Sequence, residues 1–237
     1  MSVTAETGAM WSAIRRASSS TTLARRLTRA VLFDFNGTLS HDEHVSFAVY
    51  EEVLAAHGRP ITEAEYYAEL TGLSGKEGIA TWLGSDYPRL AEVLEECVTR
   101  FRALAGDGST VPQAAREAVA AAATVVPVGI VTTGERVVLD EVLAAAGLHE
   151  LLAFTVTAED VSRTKPDPEG YLLALERLDD VAADEVLVFE DTPVGVQAAL
   201  AAGLRCVAVL GTVPRERLAA ADDVIEVLDA AAVRRLL

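Results

Sequence analysis

VLFDFNGTL, residues 31–39, is an apolar run that ends on a carboxylate, Asp34, and breaks at a glycine, Gly37. A short apolar segment closed by a turn signal reads as a buried strand. With its flanking residues, AVLFDF over 30–35, the first strand therefore delivers an acid to the end of a sheet. The same pattern recurs at VVPVGIVTT (125–133), AFTVT (153–157), EVLVFED (185–191) and RCVAVL (205–210). Between these runs lie ERVVLDEVLAAAG, PEGYLLALERLD and PVGVQAALAAG, each long enough for a helix, two of them ending on glycine, a common helix stop. Alternating strands and helices predict an α/β fold on a mainly parallel sheet, and strands this apolar fit burial on both faces.

The alternation fails between the first and second strands. Residues 43–113 contain no convincing strand. Val45, Val49 and Val53 recur every four residues, as on one helical face. TEAE (62–65) has the form of a capping box. PRLAEVLEECVTRFRAL (88–104) opens on a proline that a first helical turn tolerates. This is more helix than a crossover needs, so the sequence predicts a helical unit inserted after the first strand. Its aromatic residues, including Phe47, Tyr66, Tyr67, Trp82 and Phe101, are read mainly as packing residues.

The chain has 237 residues, 51% of them hydrophobic, and a net charge of −16 from 36 acidic and 20 basic residues. Such an acidic balance disfavours sequence-independent nucleic-acid binding, while leaving room for a locally positive site that takes a small anion. No apolar run approaches the roughly 20 residues of a membrane span. Two cysteines, Cys97 and Cys206, form no motif, which points to a reducing, cytoplasmic setting. The first 29 residues differ from the rest: five arginines stand against one acid, Glu6, around SSSTT (18–22). Without an apolar secretory core, this stretch reads as a non-catalytic extension over residues 1–28.

In parallel α/β sheets ligands gather beyond the carboxyl ends of the strands. Asp34, Thr132, Glu190 and Asp191 all fall at such ends, and Lys165 follows the third strand. Carboxylates clustered there invite Mg2+, a hard cation that prefers oxygen. Asp34 and Asp191 are its expected ligands, with Glu190 nearby and the backbone carbonyl of Asn36 as a further donor. Lys165 and Thr132 are suited to hold a phosphoryl group. The set fits phosphoryl transfer, in which positioning and charge stabilisation dominate.

Four separated pieces, DFNGT (34–38), VTTG (131–134), KPDPEGY (165–171) and FEDTPVGVQAALAAG (189–203), resemble the haloacid dehalogenase-like hydrolase superfamily. The likeness is to its subfamily I, with a C1 helical cap, and to the β-phosphoglucomutase-like phosphatases within it. The resemblance implies a Rossmann-like core at 29–43 and 112–237 and a helical cap at 44–111. It implies that Asp34 is a nucleophile that forms an aspartyl-phosphate, with Mg2+ held by Asp34, Asp191 and the Asn36 carbonyl and assisted by Glu190. The cap stretch 72–77, with Gly72, Ser74, Gly75 and Lys76, resembles a substrate-specificity loop. Sugar-phosphate mutases typically carry arginine where this chain has Gly75. The expected function is a Mg2+-dependent phosphatase of a small phosphorylated metabolite, as monomer or homodimer, with no nucleic-acid or membrane partner.

Asn36 departs from the family pattern. Phosphatases of the family usually have aspartate there, which protonates the leaving alcohol and then activates water. An amide does not exchange protons in this way near neutral pH. Four explanations stand: a substrate with a good leaving group, another side chain or water path in place of the acid, binding with little turnover, or an engineered change. Two relatives that lack the acid give alternatives. Dehalogenases attack carbon without Mg2+, which the Glu190–Asp191 pair argues against. Phosphonoacetaldehyde hydrolases cleave a C–P bond through a cap lysine, for which Lys76 is the local candidate. A binding or structural protein on the same scaffold is the alternative of a different class.

Overall fold

The computed structural model describes residues 27–237. The basic extension read at residues 1–28 lies almost wholly outside the described residues. Six strands form one parallel sheet: Ala30–Phe33 (β1), Val128–Val131 (β2), Phe154–Val156 (β3), Val186–Glu190 (β4), Arg205–Val209 (β5) and Asp223–Ile225 (β6). Their spatial order is β3-β2-β1-β4-β5-β6. This is the Rossmann-like order, in which the chain winds outward from β1 to one edge and then crosses to the other side. The order reverses between β1 and β4, and crevices in such sheets open at that reversal.

The register follows from side-chain alternation. Val31 and Phe33 point to one face of the sheet, Ala30 and Leu32 to the other, and all four are fully buried. The first face is covered by helices Gln113–Ala123 (α4), Arg136–Ala146 (α5) and Ala230–Leu236 (α8). The second is covered by Glu169–Glu176 (α6) and Pro193–Ala201 (α7). Phe33 pairs with Phe189 across β1 and β4, and their rings stack with centroids 5.1 Å apart. The ladder continues one step further, where the Asp34 amide donates to the Phe189 carbonyl at 2.9 Å. That bond sets Asp34 alongside the end of β4.

Between β1 and β2 the chain forms helices Glu43–Ala56 (α1), Gly75–Leu83 (α2) and Leu90–Ala105 (α3), which enclose a separate apolar cluster. Val49 and Val53 enter that cluster, while Val45 is half-buried and is not part of it. The Thr62–Glu65 capping box forms, but it starts only a three-residue helix that widens into a π-helical turn over Tyr66–Leu70. α3 starts at Leu90 with Arg89 as its cap, so Pro88 precedes the first turn instead of opening it. β6 was not expected from the sequence: it has three residues, and its first, Asp223, is exposed, so it carries little apolar signal. No helix among the described residues is long and apolar enough to cross a membrane. Both cysteines are buried and unbridged.

Candidate active site

The ends of β1 and β4 bring three acids and one lysine together. Lys165 Nζ lies 2.6 Å from Asp34 Oδ1, 2.5 Å from Glu190 Oε1 and 2.9 Å from the Val131 carbonyl. All three of the ammonium's donors are thus used. Tyr171, on α6, donates its hydroxyl to the same Glu190 oxygen at 2.7 Å, and its ring lies 5.2 Å from the ammonium. Burial works against a charged Lys165, but Asp34 and Glu190 outweigh it and hold its pKa above the ordinary lysine value.

Asp191 accepts from Thr38 at 3.1 Å and from Thr212. One oxygen from each of Asp34, Glu190 and Asp191 falls within 4.8 Å of the others. Three buried carboxylates against one ammonium leave an excess of negative charge. Burial pushes the pKa of Asp34 up, with Lys165 offsetting part of the shift and Glu190 adding to it. Burial, then the charges of Asp34 and Glu190, does the same to Asp191. An oxygen-only donor set with surplus negative charge fits a hard divalent cation. Two glycines press against these acids. A Cβ on Gly37, which sits at φ 79°, would lie 1.9 Å from Asp191 Oδ2. A Cβ on Gly195, in the first turn of α7, would lie 2.0 Å from the Glu190 carboxyl group.

Asn36 stands beside this cluster with both ends of its amide engaged. Its Nδ2 donates to Asp42 Oδ2 at 2.9 Å, and its Oδ1 accepts from Thr132 Oγ1 at 3.2 Å. Asp42 is itself buried, which lifts its pKa to about 7. Its other oxygen, Oδ1, has no hydrogen-bond partner.

Above the acids a cavity of about 120 Å³ opens between the sheet end and the inserted helices. Asp34, Asn36, Thr132, Lys165 and Asp191 line its floor. Its upper wall mixes apolar groups such as Leu94, Val98 and Leu139 with Glu43, Ser46, Tyr50, Tyr66 and Glu135. The insertion rests directly on the sheet domain. Thr133 Oγ1 is 3.5 Å from the Gly72 carbonyl, Arg102 Nε donates to Glu141 at 2.8 Å, and Thr164 donates to Glu77.

Asp34, Asn36, Thr132, Lys165, Glu190 and Asp191 therefore converge from four segments of the chain. The four residues of the cap stretch separate. Gly72 and Gly75 line the cavity. Ser74 is buried as the cap of α2, bonded to Glu77. Lys76 is exposed and absent from the cavity wall. Tyr66 and Phe101, read as packing residues, also face the cavity. Sequence reasoning missed Thr38, Asp42, Glu43, Glu135, Tyr171 and Thr212. Of these Thr38, which closes DFNGT, and Tyr171, which closes KPDPEGY, carried a signal; the rest are ordinary turn or helix-entry residues in sequence.

Residues 28–203 match the haloacid dehalogenase-like hydrolase family. Validoxylamine A 7'-phosphate phosphatase of Streptomyces hygroscopicus subsp. limoneus is 35% identical over 196 residues, covering 82% of this chain and 91% of the relative. Phosphorylated carbohydrates phosphatase of Thermotoga maritima is 31% identical over 188 residues, covering 74% and 82%. The crystal structure of a CbbY variant from Rhodobacter sphaeroides in complex with xylulose-(1,5)bisphosphate superposes with a TM-score of 0.75 at 30% identity, covering 84% of this chain and 94% of that one.

Proposed function

The chain belongs to the haloacid dehalogenase-like hydrolase family, and from that premise we propose that it is a Mg2+-dependent phosphatase of a small phosphorylated metabolite, working through an aspartyl-phosphate. The observation that carries this reading is the contact of Lys165 with both Asp34 and Glu190 on the cavity floor, at 2.6 and 2.5 Å. A carboxylate held by an ammonium at the strand end, on the wall of the cavity, is placed to meet what enters it.

Asp34 attacks phosphorus and the P–O bond to the alcohol breaks, leaving an acyl phosphate on Asp34 and an alkoxide that takes a proton from solvent water. Water then attacks that phosphorus and gives a proton to solvent, the acyl phosphate bond breaks, and inorganic phosphate leaves with Asp34 restored. Lys165 offsets charge on Asp34 and on the phosphoryl oxygens, and the Thr132 hydroxyl, turning from Asn36 Oδ1, donates to one of them. Asp34, Asp191 and the Asn36 carbonyl would hold Mg2+, which supplies charge neutralisation for the phosphate and its nucleophile. Glu190 serves chiefly as an anchor, since its oxygens already accept from Lys165, Tyr171 and the Asp191 amide. Asn36 orients through Asp42 and Thr132 and carries no proton, so turnover is slow on poor leaving groups.

C–P cleavage through a lysine Schiff base draws no support from Lys76, which is exposed and outside the cavity wall. The test is phosphate release with Mg2+ from p-nitrophenyl phosphate and from sugar phosphates, by the native protein and by Asp34→Asn. Release that depends on Mg2+ and vanishes in the variant is expected. Undiminished release in the variant would overturn the assignment.

A further inference from the structure

The upper wall of the cavity differs from its floor in charge. Glu43 and Glu135 both face the cavity. Glu43 accepts the Tyr66 hydroxyl at 2.9 Å, and neither carboxylate takes part in an ion pair among the described residues. Glu135 caps α5 without a side-chain capping bond, and among the described residues its carboxylate is met only by its own backbone N–H. It lies against Gly75, where a Cβ would come 2.5 Å from Glu135 Oε1. The Tyr50 phenol feels both charges and sits 3.4 Å from the Gly75 carbonyl.

The nearby arginines are committed elsewhere, and Lys76, next to Gly75, is exposed and outside the cavity wall. Arg136, next to Glu135, pairs with Asp160 and donates to Thr155 and Thr157. Arg102 is held by Glu141, and Arg100 by Glu52 and Glu96. Among the described residues Lys165 is the only basic residue on the cavity wall, and it is fixed on the floor between Asp34 and Glu190.

Burying a carboxylate without a counter-ion is costly, and the cost falls when the ligand brings the counter-ion. Burial lifts Glu43 to about 7, and burial likewise raises Glu135, the response of acids that lack a cation. A second phosphate, such as the one on the bisphosphate bound by CbbY, would meet two carboxylates and no ammonium. A protonated amine would meet its complement, with Ser46, Tyr50 and Tyr66 beside it to receive hydroxyl groups.

We propose that this cavity selects monophosphate esters whose alcohol portion carries a protonated amine, held by Glu43 and Glu135 and surrounded by hydroxyl-binding groups. The proposal rests on the phosphatase reading for where the phosphate sits, and it adds the chemistry of the opposite end.

Matched esters test it: ω-aminoalkyl phosphates against ω-hydroxyalkyl phosphates, from ethyl to hexyl, together with an alkyl bisphosphate. Two measurements are made in Mg2+: kcat/KM for phosphate release by the native protein, and calorimetric affinity for its Asp34→Asn variant. At the chain length that spans the cavity, the amine should exceed its hydroxyl counterpart about tenfold or more in both, with the bisphosphate weakest. Glu135→Gln should reduce that ratio to about twofold or less, and Glu43→Gln should reduce it in part. Glu135→Asp keeps the charge and should keep most of the preference, which separates loss of charge from a damaged fold. Equal or better handling of the hydroxyl ester or the bisphosphate would overturn the proposal, as would a ratio that neither glutamine variant moves. Absence of release from every ester, p-nitrophenyl phosphate included, would sink the phosphatase reading, and the calorimetric series would still decide the amine preference.

Discussion

The floor and the upper wall of the cavity are both rich in carboxylates, yet they are built differently. On the floor, Asp34, Glu190 and Asp191 are held by a lysine, a tyrosine and two threonines, and Glu190 and Asp191 fill the space a Cβ on Gly195 or Gly37 would need. On the upper wall, Glu43 and Glu135 have, among the described residues, one hydroxyl between them and no cation. Carboxylates pinned by protein donors give a rigid centre for bond making, whose surplus negative charge suits a cation. Charge left open gives a surface whose missing partner must come from outside. In the reading proposed above, the contrast separates the part that performs the reaction from the part that chooses what undergoes it.

Substitutions on the floor break the contrast most severely. Asp34→Asn should lower phosphate release by a factor on the order of 10⁴ or more, read as steady-state rate and as loss of the pre-steady-state burst. At the boundary between the regions, Asn36→Asp restores a titratable group at the same reach. It should raise turnover of poor leaving groups by roughly 10²–10⁴ and that of p-nitrophenyl phosphate much less. No gain in either the burst or the steady state would remove the missing proton donor as the cause of slow turnover.

Lys165→Met leaves Asp34 and Glu190 buried side by side without their ammonium. A loss of roughly 3–5 kcal/mol in urea unfolding is expected at neutral pH. A stability equal to the native protein's would mean that the floor is not held together by this charge. Gly195→Ala forces a methyl group into the Glu190 carboxyl group, and a loss of about 1–3 kcal/mol follows if the helix must shift. No change would show that Glu190 is free to move.

The smallest expected effect belongs to the upper wall. Glu43 is raised from an ordinary value of 4.5 to about 7, chiefly by burial, with the Tyr66 hydroxyl opposing and the Asp42 charge adding. The folded state therefore holds this proton more tightly than the unfolded chain does. Its contribution is fully present below about 4.5 and is lost as pH rises through about 7. Relative to Glu43→Gln, the native protein should lose a few degrees of melting temperature, about 2–4 °C, between pH 5 and pH 8. Parallel melting curves for the two proteins would place the proton elsewhere.

The sequence made the floor legible and the upper wall nearly silent, for a physical reason. Asp34, Thr132, Glu190 and Asp191 stand at the ends of apolar strands, so a parallel sheet brings them together whatever else the chain does. Lys165 was found through its surrounding motif. Glu43 and Glu135 are helix-entry residues, where acids are common on electrostatic grounds alone. Their role depends on how α1 and the sheet end face each other, which no local spacing encodes. The Asp42 contact with Asn36 was hidden for the same reason, since an acid before a helix reads as a cap. Here its side chain makes no capping bond and turns to the amide instead. Tyr171 falls on a helix face that also packs the core, so its hydroxyl bond to Glu190 could not be told from ordinary burial.

The chain leaves the sheet end near Ser40 and returns at Thr110, and these two crossings touch. The His41 amide donates to the Thr110 carbonyl at 2.8 Å, and the Ser40 and Thr110 hydroxyls are 2.8 Å apart. Entry and exit of the inserted helices thus lie at one point. Recombination at that point can exchange the whole insertion while leaving Asp34, Lys165 and Glu190 in place. A lineage built this way can acquire new substrates by trading helices, and inherit its chemistry unchanged.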